Sequence, residues 1–316
     1  MKNAVVGRLE AEDLRQQVRK VLRGLGNPEP PLRLEEVREL LRLDRQYYSS
    51  QDDGAVREFV SRVRVAGKQI IARPTLLWDV IKKAQISALW VPDRQRILID
   101  AALPILKQRW AEGHELTHSL APWHREFLFG DSEEELNRTC LEKLEAEANY
   151  GAGHLLFMGD RFTQETNDCE TTLAATHALA KRFGNTMTST LWRVVEEGHP
   201  ELPMVGVISV PAASPLSLGE IERVRHCIES PAFKKRFAGF DEDQLLEIID
   251  SYCTNRRGGP LGKGEALLRD VNGREHIFLF ESFSNRYDVL TLGVYQRPRP
   301  EVTHLPHSLQ LIKGGK

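Results

Sequence analysis

The feature that most constrains this chain is the pentapeptide His114-Glu115-Leu116-Thr117-His118. Two histidines four residues apart share a face only if the segment is helical, and both imidazoles can then reach one ion. Glu115 is placed to take a proton from water on that ion. Zinc suits such nitrogen ligands, needs a third protein ligand, and keeps a fourth position open for water, whose pKa it lowers to about 7. With 10 His and 30 Glu in 316 residues, random placement produces the pattern about 0.03 times per chain. The competing reading is a surface helix with two exposed histidines, so the metal reading requires a third ligand.

The next helix supplies a candidate. It is predicted over Ser132 to Phe157, opened by Ser132 with Glu135 three residues on, a capping-box spacing. At 100° per residue, Leu141, Leu144, Ala148, Ala152 and Leu155 fall within an arc of about 80°, the predicted core face. Glu145 lies within about 50° of its centre, whereas Glu142 and Glu147 lie about 110° away, towards solvent. A carboxylate on a buried face is costly unless paired or bound to a cation. Zinc held by His114 and His118 would be such a partner; a snorkelling glutamate is the alternative. Asn149 faces the same way and is either an acceptor for the free N–H of a ligating histidine or a plain polar helix residue.

Composition bounds the rest. A length of 316 residues predicts two domains. An apolar content of 41% predicts a soluble chain with a real core. With 43 basic and 45 acidic residues, the net charge of −2 excludes nucleic-acid binding by bulk charge. No apolar run approaches the roughly 18 residues of a membrane span, and the first residues show no signal peptide. Cys140, Cys169, Cys227 and Cys253 show no CxxC spacing. They read as reduced thiols in a cytoplasmic protein.

Further predicted elements are a helix ending near Leu25, a short helix carrying Leu34, Val37, Leu40 and Leu41, and a hairpin over Ala88 to Asp100 around Pro92-Asp93. Pro104 suits the first turn of the helix that runs to about Leu120. Helices follow near Thr171 to Phe183 and Thr188 to Glu197. The domain boundary is placed near Gly198 to Pro203, giving domains 1–200 and 201–316. The second domain begins with a strand over Met204 to Val210, then helices over Ile221 to Ile228 and Glu242 to Cys253. Ala266 to Val271 and Ile277 to Phe283 form a hairpin with a type I′ turn at Asn272-Gly273, and Val289 to Tyr295 is a last strand.

The text Arg109-Trp-Ala-Glu-Gly-His114-Glu115-Leu-Thr-His118, followed after 27 residues by Glu145-Ala-Glu-Ala148-Asn149, resembles the ImmA/IrrE family of zinc metallopeptidases. The resemblance covers roughly residues 30–195. It implies an α+β fold, in which a helical zincin-like core with a small antiparallel sheet precedes an α+β domain of GAF or PAS type. It implies one zinc ion on His114, His118 and Glu145, with Glu115 as general base. The hairpin at Ala88 to Asp100 would then supply an edge strand for an extended substrate. Leu179 to Arg193 would be a helix-turn-helix-like element. The chain departs from the family in carrying Gly151 and Gly153 in a helix, each costing about 1 kcal/mol relative to Ala; close packing against the HExxH helix is the expected reason.

Other residues carry two readings. His124 could polarise a scissile carbonyl or be a simple loop histidine. Cys140 could cap the open zinc position as a regulatory thiolate or be an inert buried cysteine. His154, about 180° around from Glu145, is expected to be structural. Lys181, Arg182 and Arg193 could touch phosphates or merely decorate an exposed helix. The clusters Lys234-Lys235-Arg236 and Arg256-Arg257 sit in a charge-balanced region with no strong nucleic-acid footprint.

The family role implied is cleavage of a partner repressor, of helix-turn-helix type, after DNA damage or in anti-phage defence, in some members stimulated by single-stranded DNA. The C-terminal domain would sense a signal. The rival is a non-proteolytic regulator using the zinc core as a partner-binding platform, which an open three-ligand site with Glu115 beside it disfavours.

Overall fold

A computed structural model describes residues 6–48, 88–91, 95–124, 138–211, 223–239, 242–254 and 258–300. The chain divides into two compact units, Met1–Gly198 and His199–Lys316.

In the first unit, α1 (Arg8–Gly24) buries Leu14, Val18, Val21 and Leu22, the i, i+4, i+7, i+8 stripe of an amphipathic helix. Helix α2 (Leu34–Leu41) buries Leu34 and Val37 and closes on Arg42 in the left-handed region. The expected hairpin pairs β2 (Ala88–Val91) antiparallel with β3 (Arg96–Asp100). A further strand, β1 (Asp44–Tyr48), joins it parallel to β3, giving the order β1-β3-β2. Helix α3 (Ile105–Leu120) packs on β2 and β3, and α4 (Arg138–Leu156) packs on α3 and α1. Residues 131–137, with the predicted capping box at Ser132, lie outside the described residues. After α5 (Asp160–Asn167), α6 (Leu173–Phe183) and α7 (Met187–Arg193) flank the turn Gly184-Asn185-Thr186. Both begin on a threonine cap, Thr172 accepting from the Ala175 N–H and Thr186 from the Ser189 N–H. Helix α7 runs into a π-helical turn, Val194–Gly198. The core joins Val18, Val21, Ile97, Ile99, Leu116, Leu155, Phe157, Phe162 and Phe183.

The second unit is a five-stranded antiparallel sheet, order β5-β4-β8-β7-β6. Its strands are β4 (Met204–Ser209), β5 (Val224–Glu229), β6 (Gly259–Arg269), β7 (Glu275–Ser284) and β8 (Val289–Pro298). Helices α8 (Pro231–Arg236) and α9 (Glu242–Tyr252) cover one face, where Phe233, Phe237, Leu245 and Ile249 pack on Val205, Val207, Phe278 and Phe280.

Two expectations are corrected here. The segment predicted as a helix over Ile221 to Ile228 contains strand β5, paired with β4 from Val205↔Glu229 to Ser209↔Val224. A partner strand that satisfies its backbone overrides a short ambiguous apolar pattern. The β6–β7 hairpin forms as expected, but not on a type I′ turn. Gly273 has φ +77° and Asn272 does not have positive φ. The Asp270 carboxylate accepts from the N–H groups of Asn272 and Arg274 at 2.9 and 3.0 Å, which favours the longer loop.

Candidate metal centre

Helix α3 is clamped before it reaches the site. Glu112 is buried, and its carboxylate takes Arg38 Nε at 2.6 Å and Arg45 Nη1 at 3.0 Å. With Leu116 and Leu120 in the core, these contacts set the rotation of α3 against α2 and β1. Helix α4 approaches α3 closely because two positions lack side chains. A Cβ on Gly113 would stand 2.9 Å from Leu156 Cδ1, and one on Gly151 only 2.3 Å from Thr117 Cγ2. Gly151 thus has the packing reason expected for it. Gly153 faces Arg193 Nη1 at an ordinary 3.5 Å.

This crossing brings Glu145 and Asn149 over the two imidazoles. His114 Nε2 lies 3.1 Å from Glu145 Oε2, His118 Nε2 lies 3.7 Å from Glu145 Oε1, and the two Nε2 atoms are 3.2 Å apart. One ligand atom from each of the three residues lies within 4.8 Å of the others. Nitrogens about 2.0–2.1 Å from a tetrahedral zinc stand about 3.3 Å apart, so two imidazoles and a carboxylate in this arrangement fit that ion. His114 Nδ1 lies 3.1 Å from Asn149 Oδ1. In the tautomer whose Nδ1–H is donated to this amide oxygen, Nε2 would be bare for a cation.

The titration behaviour follows from this crowding. Burial pushes His118 down to about 3, with the charges of His114 and His124 acting the same way, so its imidazole is neutral and has a lone pair to give. Burial also acts to lower His114, but the Glu145 hydrogen bond and the Glu115 charge outweigh it and the result is a rise. Burial acts to raise Glu145, and the His114 hydrogen bond and charge overcome it. The Glu145 side chain is 60% exposed, so solvent screens that attraction.

Several sequence-predicted positions fall elsewhere. The core arc of α4 is wider than apolar residues alone indicate. Measured from Leu144 at 100° per residue, the buried residues Glu147, Ala148, Gly151, Ala152, His154 and Leu155 span about −80° to +80°, and at the C-terminal end of the helix Gly153 and Leu156 are buried outside that arc as well. Glu145, at about +100°, lies just past the edge of that arc with its side chain 60% exposed, and Glu147, expected in solvent, is 8% exposed. Glu147 is buried because it has partners: Trp123 Nε1 donates to its Oε2 at 2.6 Å, and His124 Nε2 lies 2.9 Å from the same oxygen. His124 is fully buried, and its Nδ1 lies 2.8 Å from His118 Nδ1. Both ring nitrogens are engaged by protein groups, which leaves none for a substrate carbonyl. No hydrophobic signal could have revealed Glu147, since burial of a charge depends on neighbours distant in sequence.

Burial pushes His154 down to about 2, and the ring lies against Tyr150. Arg193 is buried, and Arg182 is held by Glu165 and Glu29, so neither is presented to a phosphate backbone. The Cys140 side chain lies outside the described residues. Cys169, Cys227 and Cys253 form no disulfide among the described residues.

Residues 67–194 match the peptidase family model described as IrrE N-terminal-like domain. The match covers about two fifths of the chain, and over those residues the chain is similar to an IrrE N-terminal-like domain. This gives it a metallopeptidase-like fold, with the His114, His118 and Glu145 group inside the matched region. No curated protein matches the chain. A solved structure titled Mycobacterium tuberculosis transcriptional regulator is similar over 90% of this chain and 88% of its own, with 12% identity and a TM-score of 0.51. At that identity the likeness is one of fold. Among the described residues, no helix is long and apolar enough to cross a membrane.

Proposed function

We propose that this IrrE-like protein is a zinc-dependent endopeptidase that cleaves a partner transcriptional repressor in a stress, DNA-damage or anti-phage response. The observation that carries the reading is the convergence of His114, His118 and Glu145, with Glu115 next to a ligand on the same helix. The group holds three such donors among the described residues, as an open catalytic site does, whereas structural zinc is closed by four. Zinc bound there would polarise the scissile carbonyl and lower the pKa of water to about 7.

The chain's own residues supply the remainder. Glu115, 7% exposed, takes a proton on its carboxylate and delivers it to the leaving amine. Asn149 holds His114 with Nε2 free. Among the described residues, strand β2 is an outer strand of the order β1-β3-β2, which supports docking of an extended peptide by β-augmentation. The second unit, an antiparallel sheet with helices on one face, acts as a GAF/PAS-like sensor, with single-stranded DNA as a candidate activator. A regulatory setting is supported by the printed title of the similar structure. That title also favours the second reading, a non-proteolytic regulator with the zinc core as a platform.

Glu115→Gln separates the two. Zinc stoichiometry stays at the wild-type value, while cleavage of a candidate repressor falls by about 10²–10⁴-fold. An unchanged cleavage rate rejects Glu115 as the base. Products that persist in chelator reject the metallopeptidase.

A further inference from the structure

The polar chain behind His118 has a direction. Glu147 Oε2 accepts from the Trp123 indole at 2.6 Å and lies 2.9 Å from His124 Nε2. An ionised carboxylate has no proton to donate, so His124 Nε2 must carry one. A neutral imidazole with a proton on Nε2 has a bare Nδ1. His124 Nδ1 lies 2.8 Å from His118 Nδ1, and of two facing ring nitrogens one must donate. With His124 Nδ1 bare, the donor is His118 Nδ1–H, which leaves His118 Nε2 without a proton on the side of His114 and Glu145. Each link is buried, with His124 at 0%, His118 at 8% and Glu147 at 8% exposure, so water does not compete for these bonds.

We infer that Glu147 and His124 are positioning residues that hold His118 in its Nδ1–H tautomer and so present its Nε2 lone pair to the metal site. Asn149 does the same for His114 through one acceptor. His118 is set through a relay of two residues, a carboxylate and an imidazole. The opposite tautomer would aim an N–H at His114 Nε2, 3.2 Å away, and would close the site to a cation. The relay also lends the Glu147 charge to His118 as ligand basicity.

The inference rests on the zinc reading for its purpose but not for its first test. In metal-free full-length protein near neutral pH, ¹⁵N NMR of the imidazoles shows wild-type His118 protonated on Nδ1 and bare on Nε2. In Glu147→Leu and His124→Phe, which keep volume and remove the acceptor, His118 becomes a mixture of tautomers. Zinc affinity, read by competition with a chelator, falls about 10–100-fold in both. Glu147→Gln retains an oxygen acceptor for His124 and stays within a few-fold of wild type, a rescue that loss of packing would not show. An unchanged His118 tautomer in both Glu147→Leu and His124→Phe, or wild-type zinc affinity in both, overturns the inference. Should the apolar variants not fold, Glu147→Gln and His124→Asn decide it. Asn offers an oxygen to His118 Nδ1–H, so a mixed tautomer in both of these overturns the relay. Wild-type protein that takes up no stoichiometric zinc rejects the metallopeptidase reading while leaving the tautomer result standing.

Discussion

His154 is an interior imidazole in cationic company. Its Nε2 lies 3.4 Å from Glu197 Oε1, and that oxygen is held at 2.8 Å by Arg193 Nη1. Burial lowers its pKa first, and Arg193, Arg15 and Arg19 add to this, down to about 2. The native state refuses a proton that the unfolded chain accepts near 6.5, so stability falls as pH drops below that value. Burial raises Glu197 against the pull of Arg193, which has the opposite effect at lower pH: the native state then binds the extra proton. Between pH 6.5 and 5.5, wild-type protein is expected to lose about 1 kcal/mol more stability than His154→Phe. All five tryptophans precede residue 199, so denaturation followed by their fluorescence reads the first unit. Equal pH slopes would show that His154 titrates normally. At this scale the HExxH pair was legible because a spacing of four is a helical repeat, whereas Glu145 was singled out as a buried carboxylate and its side chain is 60% exposed. Glu147 was not legible, since a helical wheel places a carboxylate by its neighbours' hydrophobicity and not by partners such as Trp123 and His124.

The α3–α4 crossing depends on two missing side chains, at Gly113 and Gly151, and the tighter approach is at Gly151. Gly151→Ala recovers about 1 kcal/mol of helix propensity. It also sets a Cβ 2.3 Å from Thr117 Cγ2, and Thr117 cannot turn away without losing its Oγ1 bond to the Gly113 carbonyl at 2.9 Å. Overpacking of about 1–3 kcal/mol outweighs the gain, so the variant is expected to be less stable and to bind zinc more weakly as Glu145 is displaced. Gly153→Ala meets its nearest neighbour at 3.5 Å and is expected to gain about 0.5–1 kcal/mol. Tryptophan-monitored denaturation of both variants checks the contrast, and equal effects would remove Gly151 from its role. The helices and hairpins with long clear periodicity, α1, α3, α4 and β6–β7, were legible in the sequence. Strand β5 was not, because its exposed edge carries the charges of an ordinary helix face.

At the scale of the molecule, an IrrE-like unit is followed by a separate unit built on an antiparallel sheet. If the second unit governs access to the site, removal of residues 203–316 is expected to abolish the response of repressor cleavage to an inducing signal while Glu115-dependent chemistry remains. Cleavage and induction both unchanged in the truncated chain would reject a sensor. The sequence alone determined that α3 presents two imidazoles and a carboxylate along one helix, since a spacing of four residues is a property of the helix itself. It also placed a carboxylate on the next helix as the candidate third donor, because two imidazoles alone leave a zinc site incomplete. The tertiary structure decided which acidic residue turns inward, which groups face the ring nitrogens of His114, His118 and His124 and how closely the helices cross. Those depend on contacts between residues tens of positions apart, where the cost of burying a charge is offset only by partners that folding brings together.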